Sequence, residues 1–171
     1  MGFRYWGPKH RFDHHLGHGA PEYLPTDDSQ RGVYYAALTF SGCIVEVFGD
    51  NSSITPGEMC VASPETTRDL IILDLRGPGA MRVGSVAALA KVADRTLSQA
   101  WARYFYERSE FFGKIDGIAY YNAHNDEDAL VLFERADGAL NCPPDRVIRL
   151  DDPMLSTALE QVALQNNLTF L

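Results

Sequence analysis

An α+β fold is what this chain predicts, and three observations predict it. Residues 33–37, 70–75, 117–121 and 130–133 are short apolar runs bounded by turn residues, the pattern of strands. Residues 83–92, 97–106 and 155–164, with the stretch holding Cys43, Ile44, Val47 and Phe48, place apolar side chains at helical spacing. The two kinds of element alternate without the βαβ repeat of a doubly wound sheet.

In chain order, the first thirty residues concentrate aromatic, His, Gly and Pro residues without sustained periodicity, and are expected to be irregular and a candidate ligand-lining segment. Residues 33–37 predict a strand on which Tyr34 and Tyr35 face opposite ways, so one of them belongs to the core. A helix follows, with Thr39 or Ser41 as N-cap. Glu46 falls at the border of its buried face, and an arbitrary carboxylate in that position is most often solvated. Residues 51–64, rich in Ser, Thr, Pro and Gly, read as a loop. Residues 70–75 form a strand broken only by Asp74 and ended by the turn residues from Arg76 to Ala80. Two helices follow at 83–92 and 97–106; in the second, Leu97, Trp101 and Tyr104 or Phe105 recur at helical spacing, with Arg95, Gln99 and Arg103 between them. Strands at 117–121 and 130–133 are joined by a polar turn at 124–128, a further strand is expected at 147–150, and a terminal helix at 155–164.

With 171 residues and 46% hydrophobic content, one domain spanning residues 1–171 is expected, large enough for a substantial core. No apolar run approaches the length of a bilayer crossing and no charged and apolar leader opens the chain, so a cytoplasmic protein without membrane association is expected. Cys43, Cys60 and Cys142 are widely spaced and odd in number, which predicts reduced thiols rather than a disulfide framework or zinc site. A net charge of -8 without a basic stripe argues against direct nucleic-acid binding, while leaving room for a locally positive pocket.

Neither a Rossmann fingerprint nor a P-loop is present: Gly77-Pro78-Gly79 lacks a third glycine, and its proline removes a backbone donor. A dinucleotide would therefore be gripped by side chains. Arg4 and Arg11 are the candidates, since a guanidinium donates paired hydrogen bonds to phosphate. Arg31 is a third candidate, although its place beside Gly32 reads more as a turn residue at the strand entrance. His10, His14, His15 and His18 cluster in sequence, and His14 and His18 would share one face of a helix, but Gly17, Gly19 and Pro21 oppose that helix. No metal is expected, and one or two of these histidines are candidates to line a ligand cleft.

Several blocks in order carry a family resemblance. Arg11-Phe12-Asp13 lies in an arginine-bearing opening segment, a tyrosine strand leads into the Glu46 helix, and residues 73–80, 116–125 and 129–135 follow as later blocks. Together they resemble the RES domain family, the toxin half of many bacterial RES–Xre toxin–antitoxin pairs. The resemblance implies a mixed split sheet like that of ADP-ribosyltransferases, with NAD as substrate. It implies Arg11, with Arg4 close behind, on the phosphates, and Tyr35 against the nicotinamide or its ribose. Glu46 would then stabilise positive charge as the nicotinamide–ribose bond breaks. Asn122 stands where the family usually has Ser and would contact ribose, with different reach. The implied activity is hydrolysis or phosphorolysis of NAD. Transfer of ADP-ribose to a protein and a non-catalytic nucleotide-binding module are the alternatives. The implied partner is an Xre-like antitoxin, and a homodimer is also admitted.

Overall fold

A computed structural model of the protein describes residues 2–18 and 24–171. The reading of Gly19 and Pro21 as helix breakers lies outside the described residues. The fold is α+β. Its central sheet has four strands, β1 (Val33–Ala37), β2 (Ile72–Asp74), β3 (Gly117–Tyr121) and β4 (Asp128–Phe133), in the order β1-β4-β3-β2. β4 runs antiparallel to both neighbours, with Val131 opposite Tyr35 on one side and Ile118 on the other, while β2 and β3 are parallel. The free edge of β1 is met by the opening segment: Arg4 and Val33 exchange both backbone hydrogen bonds, at 2.8 and 3.0 Å. That pairing blunts the edge and lays residues 4–13 beside the sheet.

Three helices matter for the site: α1 (Phe40–Phe48), α2 (Arg95–Glu107) and α3 (Ser156–Gln165). Of the two N-cap candidates for α1, Thr39 is the one used; its hydroxyl accepts from the Gly42 amide at 2.9 Å. No acidic residue lies in the first turn of α1. Glu127, from the β3–β4 hairpin, supplies that charge instead, accepting from the Thr39 and Ser41 hydroxyls next to the positive helix end. Ile44, Val45 and Phe48 face inward and pack with Ile54, Leu150, Leu159 and Val162 between α1 and α3. Val45 takes the buried position that helical spacing assigned to Val47, which is exposed.

Phe12, Val33, Leu89, Phe105, Ile118, Val131 and Phe133 form the other apolar cluster, against the central sheet. Full burial of such side chains stabilises by about 1.5–3 kcal/mol each. Phe12 anchors the otherwise irregular opening segment in this cluster.

Three elements differ from expectation. Residues 51–64 contain two short strands, Ser53–Ile54 and Cys60–Ala62, whose partners Thr169–Phe170 and Val147–Arg149 lie about a hundred residues away and leave no local signature. Residues 83–92 hold only a 3₁₀ turn, Ala87–Ala90, because Gly84 turns at φ 76° and ends the short helix Gly79–Arg82. On α2, Gln99 and Arg103 are buried whereas Leu97 and Tyr104 are exposed. The helix packs its polar side on the opening segment, whose irregular backbone leaves carbonyls needing donors. Gln99 Nε2 donates to the His10 carbonyl at 3.0 Å and Arg103 to that of His15 at 3.4 Å.

His14 and His15 are fully buried beside this packing. His14 Nε2 is 2.9 Å from Glu134 Oε2 and His15 Nε2 is 3.2 Å from the Arg4 carbonyl; neither Nδ1 atom has a hydrogen-bond partner among the described residues, and that of His15 lies 3.8 Å from Asp13 Oδ2. Desolvation is the largest influence on each ring and lowers both pKa values below 6.5, despite the opposing pull of Glu134 and Asp13. The unfolded chain therefore takes up protons first, so stability contributed by the neutral rings is present above about pH 6.5 and is lost as pH falls below it. The melting temperature is expected to drop steadily between pH 7 and about pH 5; a flat profile across that window would show that the buried rings tolerate charge.

Candidate functional site

Residues from five separate parts of the chain meet in one cleft of about 380 Å³, in the size range that takes small ligands. His10 and Arg11 come from the opening segment, Tyr35 from β1, and Glu46, Val47 and Asp50 from α1 and its end. Arg95 stands at the start of α2, Tyr120 lies on β3, and Ala123 and His124 are in the β3–β4 hairpin. Three of the predicted residues, Arg11, Tyr35 and Glu46, are thus brought together, though 35 positions separate the first from the last.

Tyr35 is fixed by its hydroxyl, which donates to Asp13 Oδ1 at 2.9 Å and accepts from the Phe12 amide at 3.1 Å. Burial, then the adjacent Asp13 charge, raises its pKa far above 10, so the phenol stays protonated. With the hydroxyl committed, the ring is what Tyr35 offers to the cleft. His10 packs near it edge-on, with ring centroids 5.7 Å apart.

Glu46 opens to the cleft from α1 and is crowded by protein rather than sealed in it. That partial desolvation raises its pKa above 4.5, against the opposing charges of His124, Arg11 and Arg95 and with a contribution from Asp50. Arg11 reaches the cleft from beside Phe12 and is held by a hydrogen bond from Nη1 to the Val92 carbonyl. His124 closes tightly on the end of α1: a Cβ on Gly49 would meet the His124 ring at 2.8 Å. Glycine there lets the hairpin sit against the end of α1, with His124 Nε2 3.5 Å from Asp50 Oδ1. Arg95 Nη2 lies 3.8 Å from the other Asp50 oxygen.

Arg4 and Asn122 are placed elsewhere. Arg4 Nη2 bonds both oxygens of Asp13 at 2.8 Å, and Nη1 donates to the Trp6 carbonyl, so its guanidinium serves the carboxylate that anchors Tyr35. Asn122 is fully buried beneath the cleft wall. Its Oδ1 accepts from the His124 amide at 2.7 Å and its Nδ2 lies 3.4 Å from the Gly42 carbonyl. That geometry shapes the hairpin turn and ties it to α1, presenting Ala123 and His124 to the cleft. Arg31 is likewise committed, to the His14 carbonyl and Glu107.

Sequence reasoning missed Asp13, Arg95, Tyr120 and His124. For Tyr120 a signal existed, since strand alternation puts it on the face shared with Ile118 and Asn122. Arg95 and His124 carry no local mark of their placement. Among the described residues, no group of three or more His, Cys, Asp or Glu residues is arranged to hold a metal ion. No helix among them is long and apolar enough to cross a membrane.

A cleft that combines guanidinium groups, an aromatic ring and a carboxylate of raised pKa suits an anionic ligand in which positive charge develops. The comparisons with known proteins agree with a family assignment. Over 84 residues, the chain is 34% identical to "Probable toxin y4kH" of Sinorhizobium fredii (strain NBRC 101917 / NGR234). That alignment covers 49% of this chain and 64% of the relative, so the chain spans less than two thirds of the relative's length. No solved structure matches. The RES domain model matches residues 3–152, a span that holds every residue lining the cleft, and the chain belongs to the RES domain family.

Proposed function

We propose that this chain is a RES-type toxin, a single RES domain that consumes NAD by cleaving the bond between nicotinamide and ribose. The observation that carries the reading is the meeting of Arg11, Tyr35 and Glu46 in one cleft. The Tyr35 ring suits stacking on nicotinamide, and Arg11, with Arg95 nearby, suits the pyrophosphate. As the glycosidic bond breaks, its electron pair leaves with nicotinamide, whose ring nitrogen becomes neutral, and positive charge develops on the sugar. The Glu46 carboxylate would stabilise that charge. Nicotinamide in NAD is already a cationic leaving group, so one carboxylate can suffice without a general acid. Oxygen from water or phosphate then bonds to the anomeric carbon and gives up a proton. An ADP-ribosyltransferase-like sheet arrangement belongs to this proposal, as does an Xre-like antitoxin that covers the cleft.

Incubating the purified protein with NAD is expected to release nicotinamide, together with ADP-ribose in water or its 1″-phosphate when phosphate is the acceptor. Chromatography of the products distinguishes the acceptors. Release only when a second protein is added would assign transferase activity, and no release under any of these conditions would overturn the cleavage reading.

A further inference from the structure

Tyr120 is 2% exposed, and its ring packs on Phe12 with centroids 4.8 Å apart. A buried tyrosine hydroxyl ordinarily has a hydrogen-bond partner, because leaving it without one costs free energy. This one has no partner among the described residues, yet it is not among the side-chain polar atoms sealed from solvent without a bond, which are His14 Nδ1, His15 Nδ1 and Ser85 Oγ. Tyr120 lines the cleft. Its ring is therefore enclosed while its hydroxyl opens on the space that Glu46 also faces. The other cleft tyrosine, Tyr35, has its hydroxyl taken up by Asp13 and Phe12.

We propose that the Tyr120 hydroxyl is a substrate-contacting group, donating a hydrogen bond to a hydroxyl oxygen of the sugar that Glu46 engages. The inference deepens the nucleotide reading of this cleft and rests on it. The structure adds that the phenol remains a donor: burial first, then the nearby Glu46 charge, raises its pKa far above 10. A carboxylate accepts and a phenol donates, so the pair addresses both hydrogen-bonding capacities of a sugar hydroxyl. The Phe12 contact fixes the ring, so the hydroxyl needs little reordering when ligand arrives.

Tyr120→Phe tests this, because it deletes the hydroxyl and keeps the ring against Phe12. It should lower kcat/KM for NAD by about tenfold and weaken ADP-ribose binding, read by calorimetry, by a similar factor. Its melting temperature should not fall. Tyr121→Phe, on the exposed opposite face of β3, is the control and should change neither measurement. Wild-type kcat/KM and ADP-ribose affinity in Tyr120→Phe would overturn the proposal. If the wild type binds ADP-ribose but does not cleave NAD, the cleavage reading fails and calorimetry alone decides Tyr120. A wild type that binds neither nucleotide overturns both.

Discussion

Replacing Glu46 with Gln is expected to cut NAD turnover by about a hundredfold or more, a loss of about 2.7 kcal/mol of transition-state stabilisation, with the fold intact. The substitution keeps shape and removes charge. The Glu46 side chain is open to the cleft and makes no hydrogen bond within the described residues, so its loss of charge breaks none. The effect should fall on kcat more than on KM, because the charge it stabilises exists only as the bond breaks. In the wild type, the carboxylate acts when ionised and its pKa is raised above 4.5, so activity should decline on the acid side before an ordinary carboxylate would titrate. Steady-state kinetics across pH tests both statements. A Glu46→Gln enzyme with wild-type kcat would remove Glu46 from the mechanism.

What the sequence revealed of this site follows from how locally each residue is positioned. The strand, the N-cap and the helix that carry Tyr35 and Glu46 were legible from local pattern within a dozen residues of chain, whereas the roles of the two side chains came from the block resemblance. Arg11 was assigned to the phosphates through that resemblance and not through any period of its own, and it lines the cleft. Arg4 shows the limit. Both arginines offer the same chemistry, and only the folded chain shows that Asp13 occupies one of them while the other reaches the cleft. Asn122 was assigned to ribose through the resemblance, but the choice between ligand contact and turn formation depends on the amide two residues later. The buried polar face of α2 inverts the usual amphipathic reading for the same reason: its partner is an irregular backbone, and carbonyls select donors where a sheet would select apolar side chains.

Asp13→Asn should cause a large loss of stability. Asp13 is fully buried. Its Oδ2 accepts from Arg4 at 2.8 Å, the Lys9 amide at 2.6 Å and the His10 amide at 3.0 Å; its Oδ1 accepts from Arg4 at 2.8 Å and the Tyr35 hydroxyl at 2.9 Å. Every partner is a donor. Asparagine must turn its NH2 toward either the two backbone amides or Tyr35, so each orientation sets donors against donors and leaves Arg4 without its counter-charge. Breaking a buried pair on one side costs about 3–5 kcal/mol, and the partial exposure of Arg4 favours the lower end. At about 3 kcal/mol the melting temperature should fall by about 6–12 °C. Turnover should fall as well, because the Tyr35 ring loses its anchor. Burial alone would raise the Asp13 pKa, but the bonds from Arg4 and the backbone outweigh it and hold the value below 3.8. Its contribution to stability is therefore present above about pH 3.8 and lost as pH falls through the folded value, and Asp13→Asn should lack that acid-side loss. In a double-mutant cycle with Arg4→Met, the second substitution should cost far less than the first, since each removes the same pair. Additive costs would instead show that Arg4 acts apart from Asp13, and would restore it as a candidate for the phosphates.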